Sequence, residues 1–280
     1  MIDDVSTVLC DLDGVVWLSH EPIDGSVAAI ERIRASGRRV LFVTNNSAAL
    51  VAEHEGSLRE IGIEAAGDVV SSSMAAATLV VEGERVLVAG GPGVGEAVES
   101  AGAVAVASDG REPPEAVDAV VVGLHRDFDY ARLRVAGRAV LGGARLIGTN
   151  GDTTYPTPDG LEPGGGSLVA AVAAVGGVEA VIAGKPHQPM ADLIRDLVAD
   201  PSEVLMVGDR PSTDGLFARR IGCRFALVET GVTGPGDEVD VDVPVELRAD
   251  DLAAVADALG GGHPSGGASA PSSSTGSPRA

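Results

Sequence analysis

Aromatic residues are nearly missing: one Trp, two Tyr and four Phe among 280 residues. A core must therefore be assembled from Ala, Val, Leu and Ile, and few rings remain to stack a large planar ligand. Cysteine is equally scarce. Cys10 and Cys223 fit no disulfide framework and no metal-ligand spacing. Each stands in an apolar run and reads as a buried small hydrophobe. Positive charge is short, with 20 Lys and Arg against 41 Asp and Glu and a net charge of −21. That balance argues against a nucleic-acid partner and against stable association with an anionic membrane. No apolar run approaches the roughly 18 residues of a membrane-spanning helix. The opening Met-Ile-Asp-Asp has neither the basic nor the apolar region of a secretion signal. A cytoplasmic location is expected, so the sequon Asn45-Asn46-Ser47 carries no meaning. Lysine is the extreme case, since Lys185 is the single Lys and the other 19 of the 20 basic residues are Arg. Arg and Lys are not equivalent at a tight phosphate site, so the position of that one ammonium matters.

What is present begins at residues 5–17. An apolar run over 7–10 leads into Asp11-Leu12-Asp13-Gly14. The run is short, apolar and β-branched, which predicts a buried strand of a parallel sheet. Two carboxylates at its carboxyl end are costly unless something positive binds there. In open α/β sheets that end is where ligands sit. Asp-x-Asp-Gly is also an ordinary turn, so the stretch alone leaves both readings open.

Further along, helical and strand patterns alternate. Helices are expected over 27–35, 50–61 and 74–81, and strands over 39–43 and 68–72. A second unit begins near Glu84, with strands over 85–89, 119–123 and 144–148 and helices over 130–141 and 167–175. The Gly-rich run 90–95 has the wrong spacing for a dinucleotide fingerprint and reads as a turn that starts a helix. His125 reads as a surface residue. The first unit resumes with strands over 180–183, 203–207 and 224–228 and helices over 189–198 and 249–259. From Gly260 onward the composition is Gly, Ser, Pro and Ala, which predicts a disordered tail or linker, of the kind that leads into a further domain.

Four strand ends then carry polar groups: Asp11 with Asp13, Thr44 with Asn45, Lys185, and Asp209 with Asp214. Each has a plain explanation as a turn or helix cap. In one parallel sheet, however, all four face a single crevice. In order and spacing, Asp-Leu-Asp-Gly, Val43-Thr-Asn-Asn, Gly184-Lys-Pro and Val207-Gly-Asp-x4-Asp214 resemble the four motifs of haloacid dehalogenase superfamily phosphatases. The long insert, with Gly148-Thr-Asn-x-Asp152 and Pro163-Gly-Gly-Gly, resembles the large α/β cap of the branch holding p-nitrophenyl, phosphoglycolate and glycerol-phosphate phosphatases. Ala48-Ala49-Leu50 departs from the polar residues and Arg that many relatives carry there.

The resemblance implies an α/β fold: a Rossmann-like core from 1–83 and 179–259, an inserted cap over 84–178, and a tail over 260–280. It implies a Mg²⁺-dependent phosphatase in which Asp11 is the nucleophile and Asp13 the general acid and base. Asp11, the Asp13 carbonyl and Asp209 would hold the Mg²⁺, and Asp214 would orient Lys185 or a water. Thr44, Asn45, Asn46, Lys185 and, from the cap, Asn150 would bind the phosphorylated substrate. The substrate would be a small phosphorylated metabolite, glycerol 3-phosphate ahead of phosphoglycolate. A monomer, or a homodimer paired through the cap, is expected. A phosphomutase and a non-catalytic phosphate-binding module are the alternatives. The interval from Asp13 to Thr44 is too short for the cap that mutases insert there, and the intact acidic residues with Lys185 argue against loss of catalysis.

Overall fold

The computed structural model describes residues 2, 4–113, 115–157, 160–239 and 241–260. The tail expected beyond Gly260 lies outside them. The chain opens with β1 (Thr7–Cys10), a small hairpin β2 (Trp17–Leu18) and β3 (Glu21–Pro22), then α1 (Ser26–Ala35), β4 (Arg39–Thr44), α2 (Val51–Glu60), β5 (Val69–Ser71) and α3 (Ser72–Ala77). There follow β6 (Arg85–Ala89), α4 (Pro92–Ser100), β7 (Val104–Ala107), β8 (Ala119–Val122), α5 (Tyr130–Leu141), β9 (Arg145–Gly148), the pair β10 (Thr154–Thr157) and β11 (Gly160–Pro163), α6 (Gly165–Gly176) and β12 (Val181–Ile182). The chain returns through α7 (Gln188–Arg195), β13 (Val204–Gly208), α8 (Leu216–Ile221), β14 (Arg224–Val228), β15 (Leu247–Ala249) and α9 (Leu252–Gly260).

Two parallel sheets result. The first runs β15-β14-β13-β1-β4-β5 and the second β12-β9-β8-β6-β7. β1 lies between β13 and β4, and all four of its residues are buried. That is why its sequence is continuously apolar rather than alternating. One face of the first sheet packs Cys10, Phe42 and Val207 against Ile30, Ile33, Leu252 and Val255 of α1 and α9. Its other face shares a core with the second sheet, in which Leu9, Leu41 and Met206 join Val86, Val121 and Ile147. The far face of the second sheet is closed by Val135, Val140, Val169 and Val172 of α5 and α6. This is a Rossmann-like α/β core with an inserted α/β cap, packed mainly on aliphatic residues with Trp17, Phe42, Phe217 and Phe225 among its few buried rings.

Several expectations change. The strand expected over 180–183 does not resume the first sheet, because Val181 and Ile182 pair with Ile147 and Gly148 of β9. The second sheet therefore extends past residue 178, where the inserted unit was expected to end. β12 is the edge strand of that sheet, beside β9. β2, β3, β7, β10, β11 and β15 had no strand signal. Most are short, and β7 and β11 are largely exposed, so no buried apolar run marks them. Cys10 is buried as expected, whereas Cys223 is only half-buried.

The Gly-rich run starts α4, and its spacing serves packing. Gly93 N–H donates to the Ala48 carbonyl at 3.1 Å. A Cβ on Gly91 or Gly93 would collide with the backbone of Ala48 or Ala49. Small residues on both sides let α4 rest directly on the segment after β4. Gly93→Ala is expected to lower stability by about 1–3 kcal/mol through overpacking, read as a lower urea midpoint at unchanged slope.

Candidate active site

The carboxyl ends of both sheets face one cavity of about 340 Å³. From the first sheet come Asp11 and Asp13 after β1, Thr44 at the end of β4 with Asn45 and Asn46 beyond, and Asp209 after β13. From the second come Arg126 after β8, Asn150 and Asp152 after β9, and Lys185 after β12. Lys185 thus does not sit at a strand end of the first sheet as expected. It enters on the segment that crosses back from the second.

At the centre lies the Lys185 ammonium, 2.9 Å from Asp11 Oδ1 and 2.8 Å from Asp214 Oδ1, with its side chain 1% exposed. Carboxylate oxygens of Asp11, Asp209 and Asp214 all lie within 4.8 Å of one another. Burial would lower the Lys185 pKa, but Asp11 and Asp214 overcome it and raise it, so the amine is held as ammonium. Asp11 is pushed well above the usual carboxylate range, first by burial and then by Asp214 and Asp209, against the pull of Lys185. Asp209 rises to about 6, for burial first and Asp214 second. One ammonium does not balance three crowded carboxylates. The cluster is a hard, oxygen-only donor set short of positive charge, which suits a divalent cation.

Asp13 stands apart from that cluster. Its carboxylate accepts a hydrogen bond from Trp17 Nε1 at 3.1 Å, and the enclosing protein raises its pKa while the side chain stays open to the cavity. Gly14 has φ +86°, and an added Cβ would lie 2.5 Å from Asp209 Oδ2. Only glycine lets the turn after Asp13 close over that carboxylate.

The phosphate-side groups are braced by local hydrogen bonds. Thr44 Oγ1 accepts from Asn46 N–H at 3.0 Å, and Asn46 Oδ1 from Ala48 N–H at 3.0 Å. The Asn45 amide grips the backbone of Lys185 on both sides, accepting its N–H at 2.9 Å and donating to its carbonyl at 3.0 Å. Asn150 is buried, and its Nδ2 donates to the Asn45 carbonyl at 2.8 Å. Its amide nitrogen is thus engaged in tying the two sheets' loops together.

The first part of the chain, residues 8–104, matches the haloacid dehalogenase-like hydrolase family, and residues 182–255 match an HAD-hydrolase-like family. The chain is 34% identical to phosphoglycolate phosphatase 2 of Arabidopsis thaliana, across 88% of this chain and 90% of that one. It is 35% identical to an acid sugar phosphatase of Staphylococcus aureus, across 87% and 94%. The chain belongs to the haloacid dehalogenase-like hydrolases. Among solved structures, the glycerol phosphate phosphatase of Mycobacterium tuberculosis in complex with magnesium superposes with a TM-score of 0.81 at 33% identity, covering 91% of this chain and 77% of that one. The p-nitrophenyl phosphatase of Archaeoglobus fulgidus gives 0.81 at 28% identity, covering 91% and 100%. The protein is a phosphatase of this family, a phosphoric monoester hydrolase.

The cavity of this hydrolase is also lined by residues to which sequence reasoning gave no role. Arg210 follows Asp209 directly, and its guanidinium lies 3.3 Å from Asp152 Oδ1. Asp152 stood within the cap loop but without a role. Arg126 lies over the Tyr155 ring at 5.7 Å. His20 packs against Trp17 at 4.8 Å, from a hairpin turn in which Ser19 and His20 both have positive φ. Adjacency to Asp209 was the available signal for Arg210. Nothing local gave the others a role: Arg126 and Asp152 come from the cap, and His20 from the hairpin turn between β2 and β3.

Removing the ammonium tests the charge balance. In chelator, Lys185→Met is expected to cost about 3–5 kcal/mol at pH 7, since it leaves buried carboxylates unpaired. Asp11 and Asp209 titrate higher in the folded than in the unfolded chain, so their share of the deficit exists above the ordinary carboxylate pKa. It should shrink as pH falls through the raised folded values toward about 4. Denaturant titration at several pH values reads this, and a deficit constant with pH would refute it.

Proposed function

We propose that the protein is a Mg²⁺-dependent phosphatase of small phosphorylated metabolites that works through a phospho-enzyme on Asp11. The observation that carries this reading is the Lys185 ammonium between Asp11 and Asp214, with Asp209 completing the carboxylate cluster. Asp11, the backbone carbonyl of Asp13 and Asp209 would hold the Mg²⁺. When bound, the ion supplies the positive charge that lets a phosphate dianion approach these carboxylates.

Asp11 attacks phosphorus, and the bond to the leaving oxygen breaks. Asp13 gives its proton to that oxygen, and its raised pKa favours the protonated start. In the second step Asp13 takes a proton from water, the water oxygen bonds to phosphorus, and inorganic phosphate leaves Asp11. Thr44, the Asn45 backbone N–H and Lys185 hold the transferring oxygens as charge develops. Asp214 fixes Lys185. A cytoplasmic setting suits the acidic chain and its free cysteines.

The cavity is near the low end of ligand-pocket volumes, which favours a small leaving group. Five lining residues are acidic (Asp11, Asp13, Asp152, Asp209, Asp214) against three basic (Arg126, Lys185, Arg210). Lys185 and Arg210 are already paired. A neutral diol fits that balance better than a second carboxylate, so glycerol 3-phosphate is the preferred substrate. Phosphoglycolate is the second reading, favoured by Arg126, whose side chain is 71% exposed and has Glu162 no nearer than 3.9 Å.

Asp11→Asn should abolish p-nitrophenyl phosphate hydrolysis while leaving the fold intact, and chelation of Mg²⁺ should do the same reversibly. Undiminished turnover by Asp11→Asn would remove Asp11 as nucleophile. In a panel of metabolite phosphates, kcat/KM should be highest for glycerol 3-phosphate, and a higher value for phosphoglycolate would select the second reading.

A further inference from the structure

Asp152 belongs to the second sheet's loops yet touches both sides of the cleft in the first. Its Oδ2 accepts from Asn45 Nδ2 at 2.9 Å, and its Oδ1 faces Arg210 Nη1 at 3.3 Å. Asn45 is the residue that grips the Lys185 backbone. The backbone of Asp152 is pinned in turn. Its N–H donates to Asn150 Oδ1 at 3.1 Å, and its carbonyl accepts from Gly166 N–H at 2.9 Å, in the first turn of α6. The carboxylate is therefore a fixed point presented by the cap.

Arg210 is the partner that needs a fixed point. Its backbone N–H donates to Asp214 Oδ2 at 3.2 Å, and its neighbour Asp209 is one of the three clustered carboxylates. Arg210, Asp209 and Asp214 all line the same cavity. An Arg side chain is long, always charged and matched to carboxylates by its planar fork. Released from Asp152, a guanidinium one residue along from Asp209 in the same cavity competes with any other cation for the carboxylates there.

We propose that Asp152 is a positioning residue that holds the Arg210 guanidinium away from Asp209, keeping that carboxylate available to the divalent cation. This rests on the metal-dependent reading above. It gives the cap a task in assembling the metal site. Asp152 itself is no ligand; it acts through Arg210.

The test uses full-length protein stripped with chelator and Mn²⁺ as the probe, with free Mn²⁺ read by electron paramagnetic resonance. Asp152→Asn keeps an oxygen that can accept from Asn45 and removes only the charge. It should weaken Mn²⁺ binding roughly tenfold or more, the scale on which groups supporting metal ligands act. Adding Arg210→Gln to it should restore binding to within threefold of the parent, because the competing cation is gone. Arg210→Gln alone should bind Mn²⁺ within threefold of the parent, a measurement that stands even where Asp152→Asn fails to fold. A purely structural role for Asp152 lowers the melting temperature in chelator and gives no rescue by the second substitution. Parent-like binding by Asp152→Asn, no rescue in the double variant, or weakened binding by Arg210→Gln alone each overturns the proposal. Absence of Mn²⁺ binding by the parent overturns the metal-dependent reading and this role with it, whereas metal binding without any phosphatase turnover overturns the activity alone.

Discussion

The contact between the Lys185 ammonium and the carboxylates of Asp11 and Asp214 is the constraint to which the site conforms. A charge that is 1% exposed is tolerable only with partners at hydrogen-bond distance. Those partners come from separate places: the end of β1, and the irregular turn over 211–215 that precedes α8. Lys185 itself arrives from β12, a strand of the second sheet. The contact therefore exists only when the two sheets are packed against each other. The Asn45 amide, bonded to the Lys185 backbone on both sides, ties the end of β4 into the same knot.

Close packing follows from composition. With few aromatics, the chain brings its layers together on small residues, and α4 settles on Ala48 and Ala49 because Gly91 and Gly93 have no side chain to clash. The single Trp is reserved for the site. Trp17 is buried, and its indole N–H holds Asp13 while its face meets His20. Asp11 and Asp13 are two residues apart yet differ in environment: one is crowded by Lys185 and two other acids, the other is held by a neutral donor at the cavity wall. That contrast fits separate roles as nucleophile and proton carrier.

Relatives named for phosphoglycolate, acid sugar and glycerol phosphates all lie near 35% identity to this chain. Identity at that level fixes fold and reaction class but leaves the leaving group open. The groups that line the mouth, Arg126, Tyr155 and His20, sit on a cap loop, on the short strand β10 of the cap and on a hairpin turn. Loops on a rigid scaffold vary more freely than the strands beneath them.

From the sequence alone, the buried strands and most helices were legible, because β1, β4, β8 and β13 are continuous apolar runs and α5 follows a capping Asp129. So were Asp11, Asp13, Thr44, Asn45, Lys185 and Asp209 as a set, since each follows a strand or a turn signal in a fixed order. The sequence could not say which sheet a two-residue strand joins. Val181 and Ile182 are apolar in either case, and only pairing with β9 assigns them. Nor could it join Asp152 to Asn45 across 107 positions, or to Arg210 across 58. Local pattern reports burial and backbone shape, whereas partnership between distant polar groups is decided by how the layers pack. Asp152, Arg210, Arg126 and His20 therefore became part of the site only in three dimensions.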